Sequence, residues 1–214
     1  GVPIGRLICA SNENKVLYDF FFTGTYDRKR PFILTSSPSM DILISSNLER
    51  LIYLSCGCDA EKTAELMGEL SSDGKYTVTE DMRKFMSDFW GGYAGEEENA
   101  AVIRSVFQSC GYLMDTHTGV AAAVSRQYKE KTGDERKMLI ASTASPFKFA
   151  GSVLKAVNGT GEGMDEFAVV DELSRVSGVP VPAAVEEIRT APVRHTRECG
   201  PENMEETVAE ILGC

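Results

Sequence analysis

Only two stretches of this 214-residue chain read as β-strands, and both are short. Residues 6–10 (R-L-I-C-A) and 137–141 (K-M-L-I-A) are brief apolar runs bounded by polar residues. Strands of this kind usually sit in a parallel sheet with helices over both faces. Two of them cannot make such a sheet. Either further strands are hidden in the sequence, or the rest of the sheet lies outside it. Nearly everything else follows the helical period, so the expected class is helix-rich α/β.

The spacing predicts a helix over 16–22, ended by Gly24, and a loop over 25–37. Ser37-Pro38 then reads as an N-cap followed by Pro at the first helical position. The helix it opens would align Met40, Ile44, Leu48 and Leu51 or Ile52, and stop at Gly57. Further helices are expected over 59–70, 80–89, 96–109, 119–131 and 146–157, with a short extended piece at 76–78. Asp115 or Thr116 caps the fourth of these. The Gly-rich run 158–163 (N-G-T-G-E-G) reads as a linker, and helices over 166–176, 183–188 and 202–212 follow it. The expected division is therefore a catalytic-type fold over 1–157 and a mostly helical extension over 158–214.

A net charge of −10 argues against nucleic acid and against anionic membrane surfaces as partners. No apolar run is long enough to span a bilayer. The first ten residues lack the pattern of a secretory signal, and the missing initiator Met agrees with a truncated or processed chain. Cys9, Cys56, Cys58, Cys110, Cys199 and Cys214 are scattered, as reduced thiols of a cytoplasmic protein are. The C-x-C at Cys56 and Cys58 has no second ligand pair at zinc spacing, so no metal site is expected.

Ligands of open α/β sheets bind beyond the C-terminal ends of strands. That rule marks Ser11 to Asn14 after the first strand and 142–146 (S-T-A-S-P) after the second. The second cluster places hydroxyls where a helix begins, although Ser145 as a simple cap explains it as well. Ser36, Ser37 and Ser39 surround another helix start, with Arg28, Lys29 and Arg30 upstream. Hydroxyls, amides and cations there could hold a phosphate, or form a capped helix beside a solvated basic loop. His117, in D-T-H-T, has no sequence partner that would make it a general base.

Several blocks, in order, resemble the threonine synthases. They are G-V-P-I-G-R-L-I-C-A-S-N-E-N (1–14), D-F-F-F-T-G-T-Y-D-R (19–28), S-P-S-M-D-I-L-I-S-S-N-L-E-R (37–50), D-T-H-T-G-V-A (115–121) and S-T-A-S-P-F-K-F (142–149). The match starts in the middle of that family's fold, so the chain resembles a C-terminal fragment. The resemblance implies part of a fold type II pyridoxal-phosphate (PLP) enzyme, with two α/β domains and the cofactor in the cleft. It implies conversion of O-phosphohomoserine and water to threonine and phosphate. The Schiff-base Lys and the loop that grips the PLP phosphate would lie upstream of Gly1, so no catalytic residue is placed in this chain, which would be inactive alone.

What carries over is Thr143, whose family counterpart in T-A-x-P meets the pyridine nitrogen of PLP. Ser37, Ser39, Asp41, Asn47 and Arg50 lie in a block characteristic of the family and are marked for substrate or phosphate binding. Many members have His at the position of Ser145 and Phe at that of Leu48; both departures touch packing more than activity. The partners implied are O-phosphohomoserine and the N-terminal part of the same protein, with self-association through an uncovered cleft face as a further expectation. The rival readings are a non-enzymatic module of the same descent and a lyase for a related phospho-amino acid.

Overall fold

Two adjacent glycines show how closely helices cover the central strands. In the computed structural model, which describes residues 3–213, β1 (Leu7–Ser11) pairs in parallel with β4 (Phe89–Tyr93). A Cβ on Gly91 would stand 3.2 Å from the Tyr18 Cα in α1 (Val16–Thr23). A Cβ on Gly92 would stand 2.5 Å from Val124 Cγ1 in α6 (Thr116–Thr132). Successive residues of a strand face opposite ways, so α1 covers one face of the sheet and α6 the other. Phe-Trp-Gly-Gly-Tyr thus forms a strand, and the helix expected over 80–89 ends before it, at Phe85. Gly1, Val2 and Cys214, and with them the thiol expected at Cys214, lie outside the described residues.

A second ribbon pairs β2 (Thr25–Asp27) antiparallel with β3 (Lys75–Thr77), Tyr26 opposite Tyr76. The sequence predicts loop over 25–37, because three residues of strand carry no period of their own. Tertiary packing decides it. Phe20, Tyr26 and Tyr76 bring their rings to 5.5–6.1 Å centroid separations. Around them α2 (Leu48–Ser55), α3 (Ala60–Ser72) and α4 (Glu80–Phe85) bury Ile52, Leu66 and Met82. The Tyr26 hydroxyl donates to Leu43 O and accepts from Ser45 N, pinning the loop before α2.

The other core lies under α5 (Glu96–Cys110), α6 and α7 (Ala150–Asn158), with Val102, Ile103, Val120, Val124 and Ala156 buried. Each of the Val and Ile side chains contributes about 1.5–3 kcal/mol by leaving water. Helix α8 (Glu166–Ser177) packs on α7, and the Gly-rich stretch 158–163 joins the two. The fold is helix-rich α/β with a parallel pair under helices. By contacts, one unit ends at Val181 and a second begins at Pro182. The second unit holds α9 (Ala183–Thr190) and α10 (Met204–Leu212), with Arg197 and Glu210 paired at 3.0 Å.

Two expectations need correction. The helix foreseen from Ser37 breaks: a 3₁₀ turn at Pro38–Met40 is followed by irregular chain until α2. Ser37, Thr35 and Asp41 use their side chains on Asn12 and Asn14 instead, which competes with helix formation. Ile44 accordingly stays half exposed. K-M-L-I-A at 137–141 forms no strand, since no strand lies beside it among the described residues, and Leu139 is 94% exposed. For the same reason β1 is only partly buried along 8–10.

Candidate functional site

The C-terminal end of β1 is built from amides and one carboxylate. Asn12 and Asn14, both buried, follow the strand. Asn12 Nδ2 donates to Asp41 Oδ1 (2.7 Å), Thr35 Oγ1 (2.8 Å) and Ser37 Oγ (3.0 Å). Asn14 Nδ2 donates to Asp41 Oδ1 (2.9 Å) and Ile33 O (2.7 Å). Asp41 also accepts from Thr35 N (2.9 Å) and Thr35 Oγ1 (2.7 Å). Charge-assisted bonds of this kind fix loop 33–41 on the end of the strand.

The loop in turn meets α6. Asp115, with no exposed surface, caps that helix by accepting from His117 N (2.8 Å) and Thr118 N (3.3 Å). Its Oδ1 lies 3.2 Å from His117 Nδ1. The amide of Ser39 donates to His117 Nε2 at 3.1 Å. A ring nitrogen that accepts from an N–H carries no proton, so the remaining proton is on Nδ1, facing Asp115. The Phe149 ring stands 4.6 Å away and holds the imidazole from the side. His117 therefore braces the Pro38–Met40 turn. Thr118 bonds to Asp115 Oδ2 and lies 2.9 Å from Ser142 Oγ, which ties the end of 137–142 to the same helix start.

A cavity of about 380 Å³ opens where these elements meet. Ile8, Ala10, Met40 and Ala121 form an apolar floor, with Ser39, His117 and Thr143 at the rim. Thr143 is exposed, and its hydroxyl makes no hydrogen bond among the described residues. A neutral donor over an apolar floor suits the edge of a flat heteroaromatic ring, such as the pyridine of PLP. Among the described residues, no Lys or Arg lines this cavity. The cavity lining therefore has neither an amine that could form a Schiff base nor a cation that could hold a phosphate.

Of the five residues marked for substrate, Ser39 reaches this cavity. Ser37 and Asp41 lie behind it in the amide network. Asn47 and Arg50 bond to each other at 2.5 Å and line a separate pocket of about 470 Å³ with Tyr53 and Thr63. Arg28 donates to Ser71 O, and Arg30 pairs with Asp19 at 2.6 Å, so both hold the fold together away from the serines. Ser145 caps the turn at Pro146–Phe149 through Phe147 N. A larger cavity of about 670 Å³ lies along α5 and α7 by Ser36, Glu96 and Lys155. Among the described residues no cluster of three or more His, Cys, Asp or Glu could hold a metal ion. Sequence reasoning missed the brace role of His117 and the clamp made by Asn12 and Asn14. The paired Asn residues directly after a strand were the available signal.

Comparison with known proteins gives one consistent answer. The family profile "Threonine synthase, C-terminal" matches residues 118–197. Human Threonine synthase-like 1 is 40% identical over 159 residues, covering 73% of this chain and 21% of that protein. Threonine synthase of Saccharomyces cerevisiae is 34% identical over 194 residues, covering 83% of the chain and 38% of the relative. The chain thus spans between about a fifth and two-fifths of these relatives' lengths. The yeast crystal structure superposes with a TM-score of 0.80 at 28% identity, over 100% of this chain and 43% of that one. A PLP-bound threonine synthase from Brucella melitensis gives 0.69 at 34% identity, over 83% and 40%. By sequence and by fold alike, this chain belongs to the threonine synthase family and corresponds to its C-terminal part.

Proposed function

We propose that this chain is the C-terminal part of a cytoplasmic, PLP-dependent threonine synthase, a lyase that turns O-phospho-L-homoserine and water into L-threonine and phosphate. The observation that carries the reading is Thr143: an exposed, unengaged hydroxyl at the rim of an apolar cavity beyond β1. When bound, PLP supplies the electron sink that carbanion chemistry at the substrate needs. Thr143 offers a neutral hydroxyl to the ring nitrogen, so no acidic partner is required. Ile8, Ala10 and Met40 exclude water from one side. Ser39 presents its hydroxyl toward the substrate from a turn that His117 holds in place. Ser37 and Asp41 keep that turn docked. With no Lys in the cavity, the chain alone has no turnover in this reading.

A threonine-synthase-like protein without this activity is the second reading. The observation behind it is the 40% identity to a relative named Threonine synthase-like 1, against 34% to yeast threonine synthase. Thr143→Val in the complete gene product tests the first reading. It should leave the protein folded and lower threonine formation by roughly 10- to 100-fold, the worth of one buried hydrogen bond or two, while Thr143→Ser retains most of it. An unchanged rate in Thr143→Val would remove Thr143 from the site.

A further inference from the structure

The cavity of about 670 Å³ shares two walls with the candidate site. Thr35 and Ser36 line it, while Ser39 and Met40 of the same loop line the 380 Å³ cavity. Thr116 and His117 divide the start of α6 between the two in the same way. Charges around the larger cavity are sorted by sign. Glu96 and Glu97 open α5, and Arg104 stands two turns beyond Glu97, about 10 Å along the helix. Arg104 Nε donates to Ala156 O at 2.8 Å, which brings the preceding Lys155 to the same end. Ala100 and Ile103 form an apolar middle. The Glu97 and Lys155 side chains make no hydrogen bond or ion pair among the described residues, so the two ends do not neutralise each other. Beside Ser36 lies Asn99, which is 1% exposed. Its Oδ1, packed against Gly119, has no hydrogen-bond partner among the described residues, and its Nδ2 meets Ser36 Oγ only at 3.5 Å. A buried amide this poorly bonded marks a wall that is incomplete as it stands.

We propose that this cavity is a second small-molecule site, separate from the ring cavity, and that it takes an extended zwitterion of amino-acid type. The ligand's ammonium lies at Glu96 and Glu97, its hydrocarbon over Ala100 and Ile103, and its carboxylate at Arg104 and Lys155. An acidic end, an apolar middle and a basic end are complementary to that order of groups and to no singly charged molecule of the same length. Occupancy acts on the candidate site through the shared walls. Glu96 Oε1 already accepts from Ser36 N and Ser36 Oγ, both at 3.1 Å. An ammonium on the other oxygen holds that carboxylate in place, and with it Ser36. Thr35, next in the chain, is bonded to Asp41, and Ser39 to His117. The bound zwitterion therefore stiffens loop 33–41 from the side opposite the ring cavity.

Calorimetry and amide hydrogen exchange on the complete gene product test this. The probe is ε-aminocaproate, which carries its two charges at the ends of a hydrocarbon chain; hexylamine and caproate each carry one of them. The expected result is saturable binding of ε-aminocaproate, tighter than that of either singly charged probe. Glu97→Gln and Lys155→Met, both at exposed positions, should each weaken it roughly 3- to 10-fold, the worth of one partly screened charge pair. At saturation, exchange at the Ser36 and Ser39 amides should slow at least 3-fold. No saturable binding, equal binding of the three probes, or unchanged affinity in both variants overturns the site, and covers the case in which another part of the complete protein fills the cavity. Saturable binding with unchanged exchange at Ser36 and Ser39 overturns the coupling. Threonine formation is not read in either measurement, so the site can fail while the proposed reaction stands, and the reverse.

Discussion

Asp115 is the residue on which the site's geometry turns. It caps α6, fixes the His117 proton on Nδ1 and anchors Thr118, all without exposed surface. Asp115→Ala should cost about 2–4 kcal/mol in urea unfolding, because a cap is lost and buried donors are left unpaired. Asp115→Asn keeps the cap and should cost about 1 kcal/mol. Equal losses in the two variants would contradict this account. Cys9 is the second residue with a defined consequence. Burial pushes its thiol up to about 11, which leaves it protonated at neutral pH. Alkylation at pH 8, followed by mass spectrometry, should label exposed Cys58 and Cys110 first and Cys9 roughly 100-fold more slowly, in proportion to its lost thiolate.

At the scale of elements, the close approach of α1 and α6 to β4 sets the tolerance of the sheet. Gly92→Ala drives a methyl against Val124 and Trp90, and should cost about 1–3 kcal/mol by overpacking. Gly91→Ala meets the α1 backbone less tightly and should cost less. Thermal unfolding of the two variants decides the order. The far end of α6 has a pH-dependent clamp. The Arg136 side chain, then its amide and the Tyr128 hydroxyl, hold the Asp134 carboxyl well below the usual carboxylate range. A depressed folded value stabilises the fold above the unfolded carboxylate value, and the contribution fades as pH falls through the folded one. A carboxyl NMR titration should therefore show Asp134 still ionised at pH 3.5. Protonation at or above pH 4 would contradict the clamp.

At the scale of the whole molecule, the sequence made the helices legible because they follow a 3.6-residue period and several carry a side-chain cap. Asp59, Thr79, Asp115 and Asp165 all accept from the first turn of the helix they precede. Strand β3 was foreseen as the extended piece at 76–78, whereas β2 and β4 were harder. Three-residue ribbons have no period, and Gly91-Gly92 imitates a turn while serving helix contact. The break after Met40 was hidden because its cause, Asn12 and Asn14, lies some 25 residues earlier in sequence. Thr143 was marked by pattern within the hydroxyl cluster 142–146 that ends an apolar run, and the family resemblance added its role. That run, 137–141, has strand composition without a strand, since no strand lies beside it among the described residues.

The central claim is the reaction, and product analysis of the complete gene product tests it most directly. With PLP and O-phosphohomoserine, the account predicts threonine and inorganic phosphate appearing together in equal amounts. A folded, PLP-loaded protein that releases no phosphate from this substrate would contradict it.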